Sequence, residues 1–130
     1  MIIAVAYDNG KVNQNFTQTN SFKLYYAADT VIVATEIVAT HSKGYSALAN
    51  FLSNKRVDNL ICGGIGFNAQ DQLAKNEIKV YPACSGDSDE AAMLLLAGKL
   101  KYNPKYTTEL ENLNENSAND IILGVKVDNK

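Results

Sequence analysis

Two thiols, one imidazole and a glycine-rich turn are the groups in this chain best suited to chemistry: Cys62, Cys84, His41 and Gly63-Gly64-Ile65-Gly66. Thiolates are natural ligands for iron–sulfur units and soft metals. Each cysteine closes or follows a short apolar run, so Cys62 is expected at the C-terminal end of one strand and Cys84 just past the next. Open α/β sheets hold ligands outside the carboxyl ends of their strands. If the two strands are neighbours, both thiols lie along one sheet edge as a metal or cluster contact, and a homodimer would bring four. The alternative is that each is a small buried hydrophobe, the common fate of a free cysteine. His41 belongs to a loop that reaches the same edge, where it either joins Cys62 or is solvated. The lack of a second histidine argues against the usual zinc sites.

The glycine turn leads from a strand into a helix. It presents backbone N–H groups and a helix N-terminus, both suited to an anion; it is also a tight turn that glycine makes most easily. No Gly-Lys-Ser/Thr follows, and the glycine spacing is not that of a dinucleotide fingerprint. Asn68 is a good N-cap for the helix that follows, with Asp71 in its first turn. Neither a carboxylate set for a two-metal nuclease nor a Ser-His-Asp arrangement is legible. Asp8 follows its strand as a turn residue, whereas Asp58 begins one. The chain therefore reads as a binding protein and not as an enzyme.

The elements that must position these groups follow from periodicity. Residues 2–7 form an apolar run suited to a buried strand, ended by the turn Asp8-Asn9-Gly10. Residues 11–20 read as a loop anchored by Phe16. Residues 21–28 and 30–38 read as strands joined by a hairpin at Ala28-Asp29. Helices are expected over 43–54, from Asn68 to about 75, and over 88–97, the last with a capping pair at Asp87 and Glu90. Strands at 57–62 and 78–81 separate them. The order β-β-β-α-β-α-β-α predicts a mixed five-stranded sheet with flanking helices: an antiparallel meander, then two strands reached by right-handed crossovers.

Composition agrees with one globular domain of 130 residues, since 46% hydrophobic and 20% charged residues suffice for a core. A net charge of -2 leaves no footprint for nucleic acid or an anionic membrane. No apolar run approaches the ~20 residues of a membrane span, and the N-terminus lacks a basic n-region. A cytoplasmic location with reduced cysteines is the expectation. The compact body extends over 1–102. Residues 103–130 form an acidic, Asn-rich tail that ends in Ile121-Ile122-Leu123-Gly124-Val125-Lys126-Val127, a strand candidate for a sheet edge.

Three segments carry a resemblance: residues 2–7 with Asp8-Asn9-Gly10-Lys11-Val12; Ile61-Cys62-Gly63-Gly64-Ile65-Gly66-Phe67-Asn68-Ala69; and residues 87–100 with Leu96-Ala97-Gly98-Lys99-Leu100. Over 1–102 the chain resembles the dinitrogenase iron-molybdenum cofactor biosynthesis family, which includes NifX-like proteins and the C-terminal part of some NifB proteins. The resemblance implies a ribonuclease H-like fold. It also implies the binding, storage or delivery of an iron-molybdenum or iron-sulfur cluster, or a precursor, to a partner protein. Many relatives carry His-Phe-Gly after the first turn, and that histidine is a candidate cluster contact. Here the residues are Asn15-Phe16-Thr17, and an amide is a poorer ligand for iron or molybdenum. The contacts so implied are Cys62, Gly63, Gly64, Gly66, Asn15 and Asn68, with Cys62, Cys84 and His41 for metal. The alternative is a regulatory or interaction module that keeps the fold without the cluster.

Overall fold

The computed structural model describes residues 1–100. The tail from residue 103 and its expected strand at 121–127 lie outside the described residues.

The first strand, β1 (Ile2–Asp8), is buried along most of its length, as its unbroken apolar run requires. Asn9 and Gly10 both have positive φ, 49° and 89°. This is the backbone of a type I′ turn, and Gly10 accepts it without a Cβ penalty. The turn returns the chain into β2 (Lys11–Val12), paired antiparallel to the end of β1. Residues 11–20 are therefore not a plain loop, and the sheet has six strands instead of five. A two-residue strand is too short to show a period, which is why the sequence hides it. A 3₁₀ turn at Phe16–Gln18 follows, and Phe16 is fully buried as its expected anchor.

β3 (Ser21–Ala28) and β4 (Val31–Ala39) complete the antiparallel meander. Next come α1 (Tyr45–Asn54), β5 (Asn59–Ile61), α2 (Phe67–Lys75), β6 (Lys79–Tyr81) and α3 (Ser88–Leu96). β5 lies parallel to β1, and β6 parallel to β5. The main strand order is β4-β3-β1-β5-β6, with β2 paired to β1. The mixed sheet and three helices match the sequence reading. No helix among the described residues is long and apolar enough to cross a membrane.

Alternation along the strands divides the core into two layers. Ala4, Ala6, Phe22, Leu24, Leu60 and Cys62 pack with Leu48 and Leu52 of α1 and with Ala69 and Leu73 of α2. Ile3, Val5, Tyr25 and Ile61 pack on the other face with Ala91 and Ala92 of α3.

The start of α3 is fixed by its cap and by polar contacts from β3. Asp87 is its N-cap and accepts from the Glu90 N–H at 2.9 Å, so the predicted Asp87/Glu90 pair forms the cap. Tyr25 Oη lies 2.7 Å from Ser88 Oγ and donates to Asp89 Oδ1 at 2.5 Å. Lys23 Nζ donates to the same Asp89 oxygen at 2.8 Å. Ser88 is buried, so removing the phenol leaves its hydroxyl short of a partner. Tyr25→Phe is expected to destabilise the domain by about 1–3 kcal/mol in urea unfolding. A loss under about 0.5 kcal/mol would show that this contact does not hold α3.

Candidate functional site: the strand ends around Gly63

At the C-terminal end of β5 the sheet does not stop. Three irregular segments continue it side by side. Gly63 N–H donates to Asn13 O at 3.0 Å, Gly64 N–H to Gln14 O at 2.8 Å, and Phe16 N–H to Gly64 O at 3.0 Å. On the other flank Ala83 N–H donates to Gly63 O at 2.9 Å and Cys84 N–H to Cys62 O at 3.0 Å. The middle segment is thus held on both sides, like a central strand.

Its sequence follows from that position. A Cβ on Gly63 would lie 2.6 Å from Gln14 Cα and 2.9 Å from Asn13 O, closer than real Cβ contacts. The Gln14 side chain lies across the strip, with Nε2 donating to Cys84 O at 2.9 Å and to Val12 O at 3.1 Å. The N–H groups of Gly63 and Gly64, expected to face an anion, are both spent within the chain. Asn13 and Gln14, which the sequence reading passed over, do the holding. Their only sequence signal is a run of amides, Asn13-Gln14-Asn15, ahead of Phe16.

Gly66, not Asn68, is the N-cap of α2. Asn68 sits in the first turn, exposed, and no side chain caps this helix. The positive end of the α2 dipole therefore opens on the surface beside Gly64. Asn15 is on the same side, because it bridges to Gly64. Its Oδ1 accepts from Thr17 Oγ1 at 3.0 Å.

The two cysteines follow adjacent strands, but they leave the sheet on opposite faces. Cys62 is fully buried in the layer of α1 and α2. Burial pushes its thiol pKa well above the ordinary range, and the Cys84 thiol adds to the rise. Cys84 is half-buried and packs on the α3 side, and burial raises its pKa as well. It lines an open cavity of about 360 Å³ with Pro82, Asp87, Glu90, Leu94 and Leu100.

His41 is exposed and follows β4. The strand end at Ala39 is level with Ser21 and hence with Tyr7, so His41 is at the same end of the sheet as Cys62. Two strands separate β4 from β5, an offset of about 14 Å at the usual strand spacing. Among the described residues no group of three His, Cys, Asp or Glu side chains could hold a metal ion. Asp8 and Asp58 are also apart. Asp58 accepts from the Ile2 N–H at 2.7 Å, at the far end of β1.

A mixed sheet with helices on both faces places the chain among α/β domains. The model of the dinitrogenase iron-molybdenum cofactor family matches residues 1–98, and the chain belongs to that family. Solved structures share the fold. The crystal structure of PH0822 superposes with a TM-score of 0.73 at 20% identity, covering 79% of this chain and 95% of that one. The apo orange protein of Desulfovibrio gigas gives 0.70 at 23% identity, covering 78% and 92%. TM1290 of Thermotoga, provisionally named a NifB protein, gives 0.64 at 26% identity, covering 83% and 97%. None of the curated proteins matches the chain.

Proposed function

We propose that this chain is a non-catalytic carrier for a preassembled, anionic metal–sulfur or oxometal species, which it passes to a partner protein. Family membership ties the chain to the biosynthesis or binding of iron-molybdenum cofactor. The observation that carries the finer reading is the donor set. With no three ligand side chains converging among the described residues, the strand ends offer amides, a helix N-terminus and one reachable thiol. Such groups suit a cargo that brings its own sulfides or oxygens, and they suit a bare cation poorly. Gly66, Asn68 and Asn15 are the polar contacts. Cys84 is the accessible thiol at the same end of the sheet, and Cys62 supports the turn from inside the core.

Protein purified without oxygen, incubated with iron, sulfide and molybdate or with thiomolybdate, is expected to retain about one cargo per chain. Visible charge-transfer bands should accompany it, and Fe²⁺ alone should wash away. Elemental analysis and a visible spectrum read both. Stoichiometric retention of Fe²⁺ alone would overturn the donor-set argument. No retention under any condition would favour the second reading, an interaction module without cargo. That reading is supported by Asn15 in place of the relatives' histidine and by the carboxylates of Asp87 and Glu90 beside Cys84.

A further inference from the structure

Gln14 spans the strand-end strip from one flank to the other. Its carbonyl accepts from the Gly64 N–H at 2.8 Å. Its side chain runs back over Gly63, where a Cβ would lie 2.9 Å from Gln14 Cδ. A glycine at 63 therefore leaves the path by which the amide reaches Cys84. The amide nitrogen donates to Val12 O at 3.1 Å and to Cys84 O at 2.9 Å. A long amide can join these two carbonyls; an ionised carboxylate has no donor, and asparagine is one methylene shorter.

What this contact holds is an unfavourable backbone. Ala83 has a φ of 63°, and the left-handed form of an alanine is disfavoured about five- to thirtyfold. That residue turns Cys84 to the α3 side, whereas extended backbone would alternate it to the side of Cys62. Hydrogen bonds on both sides oppose the relaxation. Ala83 N–H and Cys84 N–H donate to Gly63 O and Cys62 O at 2.9 and 3.0 Å. Those are main-chain bonds and do not depend on residue type; the bond from Gln14 to the Cys84 carbonyl does. The thiol is docked on the turn so formed, with Sγ 3.5 Å from Tyr81 O and 3.6 Å from Pro82 O. We propose that Gln14 is the positioning residue for Cys84. It locks the left-handed turn at Ala83 and so keeps the thiol on the α3 side, at the cavity wall where a cargo can meet it. The purpose of that placement rests on the carrier reading; the placement itself is tested without cargo.

On the full chain, reduced and free of cargo, the reaction of Cys84 with a small neutral disulfide is timed and assigned by peptide mapping. The proteins are the wild type, Gln14→Met, and Gln14→Met combined with Ala83→Gly. Methionine keeps the length and lacks the donor. Gln14→Met is expected to slow Cys84 at least about threefold, because part of the population turns the thiol away from the cavity. Glycine carries no left-handed penalty, so the second substitution is expected to bring the rate back to within about twofold of the wild type. Cys62 should stay slow in all three, which shows that the strip remains closed. A loss under about threefold, or a faster Cys84, overturns the proposal. So does a slowed Cys84 that glycine fails to restore, since the amide then braces the loop in general. A fast Cys62 overturns it as well, because Gln14 then seals the strip as a whole. Whether the wild type retains cargo bears only on the carrier reading.

Discussion

Gly63→Ala is expected to destabilise the domain by about 2–4 kcal/mol, combining overpacking with the loss of flanking hydrogen bonds. The added methyl would sit 2.6 Å from Gln14 Cα and 2.9 Å from Asn13 O. Both are backbone atoms, so no rotamer change relieves the clash, and the 13–15 segment must move away. That movement breaks the bonds from Gly63 N–H and Gly64 N–H, and it pulls Gln14 off the Cys84 carbonyl. For a domain near 100 residues, each kcal/mol lowers Tm by about 4–8 °C. The drop should thus reach about 10–30 °C in calorimetry. Gly10→Ala supplies the comparison. Its Cβ would meet nothing within 4 Å, and only its φ of +89° resists the change, which costs about 1 kcal/mol. Equal losses at the two positions would mean that Gly63 is needed for its backbone angle alone and that the close approach is not what selects glycine.

The same strip shows where the sequence can and cannot be read. The β3 strand over Ser21–Ala28 and the Asp87/Glu90 cap are local features, and both are legible from period and spacing. The partners of Gly63 are fifty residues away on one side, at Asn13, and twenty on the other, at Ala83, and no local pattern encodes that register. A glycine-rich turn before a helix therefore reads equally as an open anion cradle or a tight turn, whereas the N–H groups of Gly63 and Gly64 are spent on Asn13 and Gln14. The cap of α2 differs for a related reason. Asn68 has the better capping chemistry, but the close packing of the strip brings the chain into the helix two residues earlier, at Gly66. The placement of the thiols depends on parity. Ile61 and Tyr81 are register partners on the α3 face. Cys62, one residue on from Ile61, points to the other face, whereas Cys84, three residues on from Tyr81, stays with α3. Simple alternation would put Cys84 beside Cys62. The left-handed φ of Ala83, 63°, breaks the count; Pro82 signals a turn, but an alanine in place of the usual glycine or asparagine does not announce a left-handed residue there.

The two thiols should consequently differ in reactivity by roughly a thousandfold or more. Cys84 is half-exposed at a cavity wall, so a small disulfide reagent reaches it in the native state. Cys62 has no exposed surface, and burial holds its thiol protonated. It reacts only when the strip and the α1/α2 layer open, and for a domain stable by ~5 kcal/mol that open fraction is below about one in a thousand. Native protein is expected to release one equivalent of thiol quickly and the second at the rate of opening. Both equivalents should appear at once in denaturant, and peptide mapping should assign the fast one to Cys84. Gly63→Ala should speed the slow phase alone, because it loosens the strip that seals Cys62. Two fast equivalents in the native protein would show that the strand end opens readily; both thiols would then be available to a cargo, and the contact set would have to include Cys62. One fast equivalent leaves Cys84 as the thiol with which a carried metal can exchange, and Cys84→Ser, not Cys62→Ser, becomes the substitution that should weaken cargo retention without unfolding the chain.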